Sequence, residues 1–226
     1  MKEKKPRRKA CRKRKGNIFV VSGPSGAGKG TLVQHVLDVF ADLALSVSAT
    51  TRPEREGETD GKDYFFVNRE RFREMMKKGE FIEWARVFEN HYYGTPKRFI
   101  DEALRAGRDV LLELDVRGAV AIRKAFPESV LIFVLPPTLK ELEKRIRDRG
   151  KDSEEDIRLR LKRARNEIRK ADIFDYLVVN DGLEEAKRDI ECIVRARRLR
   201  MGFLCGTVAR FLVEPNEKGR SMLGEA

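Results

Sequence analysis

The stretch Asn17-Ile18-Phe19-Val20-Val21-Ser22-Gly23-Pro24-Ser25-Gly26-Ala27-Gly28-Lys29-Gly30-Thr31 sets an apolar, β-branched run directly before a glycine-rich turn. Residues 17–22 read as a buried strand. Residues 29–41 carry Leu32, Val33, Val36, Leu37 and Phe40 at helical spacing, so a helix opens on the lysine. Strand, glycine loop and helix make the start of a βαβ-type unit. In that context the glycines let backbone N–H groups turn inward on phosphate oxygens, and the helix N-terminus favours an anion. Lys29 would reach the β- and γ-phosphates of a nucleotide. Taken without its context, the same segment is also a glycine-rich turn that binds nothing.

Outward from this loop, apolar strands and helices alternate. Residues 45–67 are polar, Arg-rich and spotted with glycine, ending in an expected strand at Tyr64–Val67. Residues 69–78 read as a helix, Phe81–Val87 as a strand, Asn90–Pro96 as a turn-rich segment and 97–106 as a helix. Val110–Leu114 and Val130–Leu135 are continuous apolar runs, which suit strands covered on both faces, as in a parallel sheet. A helix follows from Leu139 to near Gly150, and a charged one over about 154–171, capped by Ser153. Tyr176–Val179 is a last strand and 183–200 a last long helix. The alternation predicts an α/β fold with a mainly parallel sheet.

The chain has 226 residues and a formal charge of +12, with 38% charged residues against the roughly 25% of an average globular chain. Residues 1–17 hold ten Lys or Arg and one Glu, so most of the excess is a property of the tail. Residues 1–15 and 214–226 are expected to be disordered or loosely held. Cys11, Cys192 and Cys205 are odd in number and far apart, without a CxxC pair, which suggests no metal framework or disulfide scaffold and favours a reducing compartment. No apolar run approaches the roughly 18 residues of a membrane span, and none of signal-peptide type follows the tail. A cytoplasmic protein is expected.

Three further segments narrow the class. Ser46-Val47-Ser48-Ala49-Thr50-Thr51-Arg52-Pro53-Glu54-Arg55-Glu56-Gly57-Glu58-Thr59-Asp60-Gly61-Lys62-Asp63-Tyr64, then Phe81-Ile82-Glu83-Trp84-Ala85, then Asn90-His91-Tyr92-Tyr93-Gly94-Thr95, resemble in order the acceptor segments of guanylate kinases. The resemblance runs from about residue 17 to about 197. It implies that Arg52, Arg55, Tyr64 and Tyr93 hold the phosphate of GMP, and that Ser48, Glu83 and Thr95 read its base. The chemistry agrees. Two guanidinium forks suit a dianion. One carboxylate can accept from both N1–H and the N2 amino group of guanine, whereas adenine lacks that donor pair and would leave the charge unpaired, at about 1–3 kcal/mol or more.

The resemblance also implies the donor site. Gly23, Pro24, Ser25, Gly26, Ala27, Gly28, Lys29, Gly30 and Thr31 would cradle the phosphates of ATP. The usual loop has Ser or Thr directly after the lysine; here Gly30 stands there, and the hydroxyl moves to Thr31. Mg²⁺ is then held either by phosphates and water or partly by Thr31. A Gly-Lys-Gly-Thr ending is known among nucleoside monophosphate kinases.

Glu113 and Asp115 close the run Val110–Gly118, two apart and so expected on one strand face. They resemble the acidic strand end that contacts GMP and, through water, Mg²⁺ in that family. The first acid is often Asp there, and Gln is common where this chain has Arg117, whose role stays open. Both acids are otherwise surface groups pairing with nearby cations. Arg145-Ile146-Arg147-Asp148-Arg149-Gly150 and the following Ser153-Glu154-Glu155 resemble the family's lid. Arg145, Arg149 and Arg160 would hold the ATP phosphate chain and the transferring group, and Asn180 matches a position near adenine.

The expectation is therefore a P-loop kinase with a central, mainly parallel sheet, an inserted GMP-binding subdomain (about 48–97) and a helical lid (about 145–165). The kinase domain spans 17–200, between a basic tail (1–16) and an extension (201–226) that packs either on the core or on a partner. Expected activity is transfer of the γ-phosphoryl group of ATP to GMP, with Mg²⁺ as cofactor. The alternatives are a catalytically silent relative that binds protein segments and a related kinase with another acceptor. The tail is either a solvated extension or a polyanion binder.

Overall fold

A computed structural model describes residues 16–87, 91–148 and 153–200. The expectations for residues 1–15 and 201–226, and for Arg149, lie outside these residues.

Nine strands and seven α-helices make up the described residues. The first sheet contains β1 (Ile18–Ser22), β2 (Leu43–Leu45), β7 (Asp109–Glu113), β8 (Val130–Leu135) and β9 (Tyr176–Val179), in the order β2-β7-β1-β8-β9. All of its pairings are parallel. The apolar runs at β1 and β8 are continuous because both faces are covered. Phe19 and Val21 of β1 pack with Leu32, Val33 and Val36 of α1 (Lys29–Val39) and Ile190 and Val194 of α7 (Leu183–Arg198). Ile18 and Val20 pack the other way, with Ile100 and Ala103 of α3 (Lys97–Arg105) and Ala119 and Ile122 of α4 (Val116–Ala125).

β1 lies in the middle, with β7 on one side and β8 on the other. Connections leave in opposite directions there, opening a crevice at the carboxyl end of β1, where α/β sheets place ligands. The glycine loop sits in that crevice.

A second sheet is inserted between β2 and β7. It holds β3 (Ala49–Thr50), β4 (Phe65–Phe66), β5 (Phe81–Val87) and β6 (His91–Pro96), in the order β4-β3-β6-β5. Phe72 of α2 (Arg69–Lys77) is fully buried, with its ring 4.5 Å from Phe81 and 5.5 Å from Tyr92. Two further helices, α5 (Leu139–Arg147) and α6 (Glu154–Ile168), form a helical pair around Leu142, Ile146, Ile157 and Ala164. Ser153 and Asp156 form a reciprocal cap at the start of α6.

Several expectations need correction. Asn90–Pro96 is not turn-rich: from His91 it is a strand antiparallel to β5. A Cβ at Gly94 would meet the Phe81 ring at 2.8 Å, so this glycine makes room for an aromatic inside the strand. α4 was not expected, because Gly118 interrupts its apolar spacing; Asp115 caps it by accepting from the Gly118 backbone N at 2.8 Å. The short strands β2 and β3 were also missed. The strand expected at Tyr64–Val67 covers only Phe65–Phe66, and the charged helix stops at Ile168, before a 3-10 turn at Ala171–Ile173. β7 ends at Glu113, so Asp115 lies beyond the strand, and strand alternation does not place the two acids on one face.

Candidate active site

The glycine loop is shaped by its surroundings as much as by its own sequence. Gly28 has φ +89°, and a Cβ there would meet Asn180 Nδ2 at 2.2 Å. That side chain, nearly buried, donates to the Ala27 carbonyl at 2.9 Å. Asn180 thus braces the loop from the carboxyl end of β9. Its own carbonyl accepts from Arg145 Nη2 at 3.1 Å, which ties α5 to the same point.

Lys29 Nζ donates to the carbonyls of Gly23 and Pro24 at 2.8 and 3.1 Å. Neutral oxygens of the loop itself therefore hold the ammonium at the mouth. Gly30 and Thr31 are exposed in the first turn of α1. A cleft of about 440 Å³ opens here, with Glu113, Asp115 and Glu167 on its far wall. Arg160 of α6 reaches over it and donates to Ser25 Oγ at 3.2 Å. Arg145 also pairs with Glu141, one turn back, at 2.8 Å.

The second sheet carries the other cluster. Arg52, only 9% exposed, spreads its guanidinium over three acceptors: Tyr93 Oη at 3.2 Å, the Pro53 carbonyl at 2.6 Å and Glu58 Oε1 at 2.7 Å. It lies 5.4 Å from the Tyr64 ring centre, and the Tyr64 and Tyr93 rings meet edge to face at 5.8 Å. Arg52, Tyr64 and Tyr93 are thus together. Arg55 joins them through its backbone, whose N–H donates to Glu58 Oε2 at 2.9 Å, while its side chain is exposed. Hydrogen bonding to Arg52 holds the Glu58 carboxyl below its ordinary range.

Glu83 and Thr95 face each other across β5 and β6, and Thr95 Oγ1 donates to Glu83 Oε1 at 2.6 Å. Thr95 is fully buried. Burial pushes the Glu83 carboxyl up, Thr95 opposes this, and the charge of Asp115 adds to the rise. Burial likewise raises Tyr64, with Glu113 among the charges acting on it. Glu113 and Asp115 therefore face both clusters: they line the glycine-loop cleft and act on the groups of the second sheet. Ser48 is half-buried just before β3.

Two acids had not been singled out. Glu58 ties Arg52 to the backbone of Arg55, and the spacing of that pair in the loop was its only sequence signal. Glu167 projects from α6 into the glycine-loop cleft. Burial raises its carboxyl, Lys29 opposes the rise, and Asp115 adds to it. Its position on a charged helix gave no signal.

The guanylate kinase family model matches residues 15–197. A guanylate kinase of Syntrophomonas wolfei is 50% identical over 188 residues, covering 83% of this chain and 96% of that one. One from Thermotoga maritima is 43% identical, covering 88% and 96%. The crystal structure of guanylate kinase from Anaplasma phagocytophilum superposes with a TM-score of 0.70 at 34% identity, covering 84% of this chain and 90% of that one.

Proposed function

This chain belongs to the guanylate kinase family and transfers the γ-phosphoryl group of ATP to GMP, giving ADP and GDP, and we propose that it does so in one direct step between the glycine-loop cleft and the second sheet. The observation that carries the guanine assignment is the Glu83–Thr95 pair, a carboxylate held by one buried hydroxyl. Its second oxygen suits the N1–H and N2 donors of guanine. Ser48 completes the base site, and Asp115 and Glu113 stand between it and the donor.

Residues 23–31 cradle the ATP phosphates, beside Asn180. Lys29 exchanges its two loop carbonyls for β- and γ-phosphate oxygens, a stronger, charge-assisted contact. Arg52, Arg55, Tyr64 and Tyr93 hold the GMP phosphate, with Glu58 giving way at Arg52. A GMP phosphate oxygen attacks the γ-phosphorus in line, and the bond from γ-phosphorus to the bridging β–γ oxygen breaks. The acceptor is already ionised, so no strong general base is needed. Arg145, Arg149 and Arg160 surround the moving group, and closure of the helical pair excludes water.

The residues present fit Mg²⁺ held mainly through phosphate and water. Thr31 and Asp115 offer hard oxygen atoms, but one Asp115 oxygen already caps α4. Among the described residues no group of three His, Cys, Asp or Glu side chains could hold a metal directly. When bound, the ion neutralises charge on the β- and γ-phosphates.

On this reading the kinase domain spans residues 17–200, with its acceptor part at about 48–97 and its lid at about 145–165; residues 1–16 are a basic tail and 201–226 an extension. No described helix is long and apolar enough to cross a membrane. Glu83→Ala tests the base assignment: the KM for GMP should rise about ten-fold or more while that for ATP stays put. An equal loss for both substrates contradicts it.

A further inference from the structure

A second cleft, of about 400 Å³, adjoins the glycine-loop cleft and shares Asp115 and Glu167 with it. Three separate parts of the fold meet around it: β5 of the second sheet, the first turn of α4 in the core, and the far end of α6 from the helical pair. Arg163, Asn166, Glu167 and Lys170 line it at intervals of three, one and three residues. That spacing puts them on one face of α6 and its continuation. Arg86 faces them from β5 and Arg117 from α4.

Four cations and two carboxylates therefore line the cleft, an excess of positive charge. Asp115 spends one oxygen on the α4 cap, and burial favours the neutral form of Glu167. The side chains of Arg117 and Lys170 make no hydrogen bond or ion pair among the described residues. None of Arg86, Arg117, Arg163 or Lys170 has a part in the transfer mechanism above.

We propose that this cleft is a second anion site, built to take a phosphate or diphosphate group other than those held for transfer. Its volume lies within the range of small-molecule sites. Among the described residues two of its cations, Arg117 and Lys170, have no side-chain partner, and arginine matches phosphate with paired donors. An anion there bridges the second sheet, the core and the helical pair, whose relative placement sets both substrate clefts. The group comes either from a free inorganic anion or from the phosphates of a nucleotide.

The test is calorimetric titration of inorganic pyrophosphate, without divalent metal, into the full chain carrying Lys29→Met. That substitution weakens pyrophosphate binding at the glycine loop. The comparison is with the same variant carrying Arg117→Gln and Lys170→Gln as well. The basic residues of 1–15 are common to both proteins and cancel. Binding should be about ten-fold weaker in the triple variant. A parallel titration with GDP identifies the source: an Arg117- and Lys170-dependent part no tighter than with pyrophosphate means a free anion, and a tighter one means a nucleotide. Equal pyrophosphate binding by the two proteins overturns the proposal. So does a ten-fold or larger rise in the KM for GMP in the otherwise unaltered Arg117→Gln/Lys170→Gln protein, because the cleft would then belong to the acceptor position. Turnover within about two-fold of the unaltered protein, without pyrophosphate, is the result expected of a separate site.

Discussion

The two ends of the parallel sheet treat charge in opposite ways. At the amino end, Asp109 is 1% exposed and accepts from the Asn17 backbone N and Nδ2 at 2.8 and 2.9 Å. Arg198 closes on it at 2.7 Å and reaches Asp42 at 2.9 Å, while Arg197 pairs with Glu128 at 3.2 Å. The Arg198 guanidinium also lies 4.7 Å from the Phe40 ring centre. At the carboxyl end, the contacts of Lys29 include two carbonyls, and those of Arg160 a serine hydroxyl. Glu113, Asp115 and Glu167 line the cleft opposite. The same residue types thus make a fastening at one end and a receptive site at the other. The difference lies in burial: Asp109 and Arg198 are closed inside the fold, whereas Lys29, Arg145 and Arg160 stand at the edge of a cleft where a phosphate can reach them.

Breaking the receptive end should have the largest effect on rate. Lys29→Met is expected to lower kcat by roughly a thousand-fold or more, the scale of losing a charged contact to the transferring group. Its melting temperature should stay within about 2 °C, because Lys29 is only half-buried, at the mouth of the cleft. A rate near that of the unaltered protein would remove the glycine loop from the chemistry.

Breaking the fastened end should do the reverse. Asp109→Ala leaves Arg198 and Asn17 without their shared acceptor, and loss of one partner of a buried pair costs about 3–5 kcal/mol. For a chain of this size that lowers the melting temperature by roughly 6 °C or more. Turnover at 25 °C should be unchanged. Lost turnover in a protein that melts normally would show that the two ends are not separable in this way.

A smaller, pH-dependent effect sharpens the contrast within the site. Burial raises the pKa of Glu83, so its ionised, guanine-reading form is lost at a higher pH than for an ordinary glutamate. The KM for GMP should therefore climb as pH falls through that raised value, while the KM for ATP does not follow it. The linkage to stability has the opposite sign. A folded-state pKa above the unfolded one adds stability below the unfolded pKa, and that stability is lost as pH rises through the folded value. Ionised Glu83 is thus a cost to the empty protein at neutral pH. Glu83→Gln should raise the melting temperature by roughly 1–3 °C and abolish the pH-dependent climb. A climb that persists in Glu83→Gln would assign it to another group.

Much of this was legible in the sequence where burial was uniform. β1 and β8, covered on both faces, read as unbroken apolar runs, and the glycine loop between β1 and α1 announced itself by composition and context. Legibility failed where a glycine served packing instead of turning. Gly94 inside β6 and Gly118 inside α4 hid a strand and a helix, because their reasons, the Phe81 ring and the Leu114 side chain, are matters of neighbours. The members of the acceptor cluster were named by an ordered resemblance. The support they receive was not: Glu58 bridging Arg52 to the Arg55 backbone, and Asn180 turned into the glycine loop, depend on contacts that no spacing encodes.

Guanine selection is measured most directly by ADP release with ATP and Mg²⁺, offering GMP, dGMP, AMP, UMP, CMP and dTMP separately. Turnover should be strong with GMP and dGMP and negligible with the other four, because only guanine supplies the paired donors that Glu83 accepts. Comparable turnover with AMP, or none with GMP from folded protein, would contradict it.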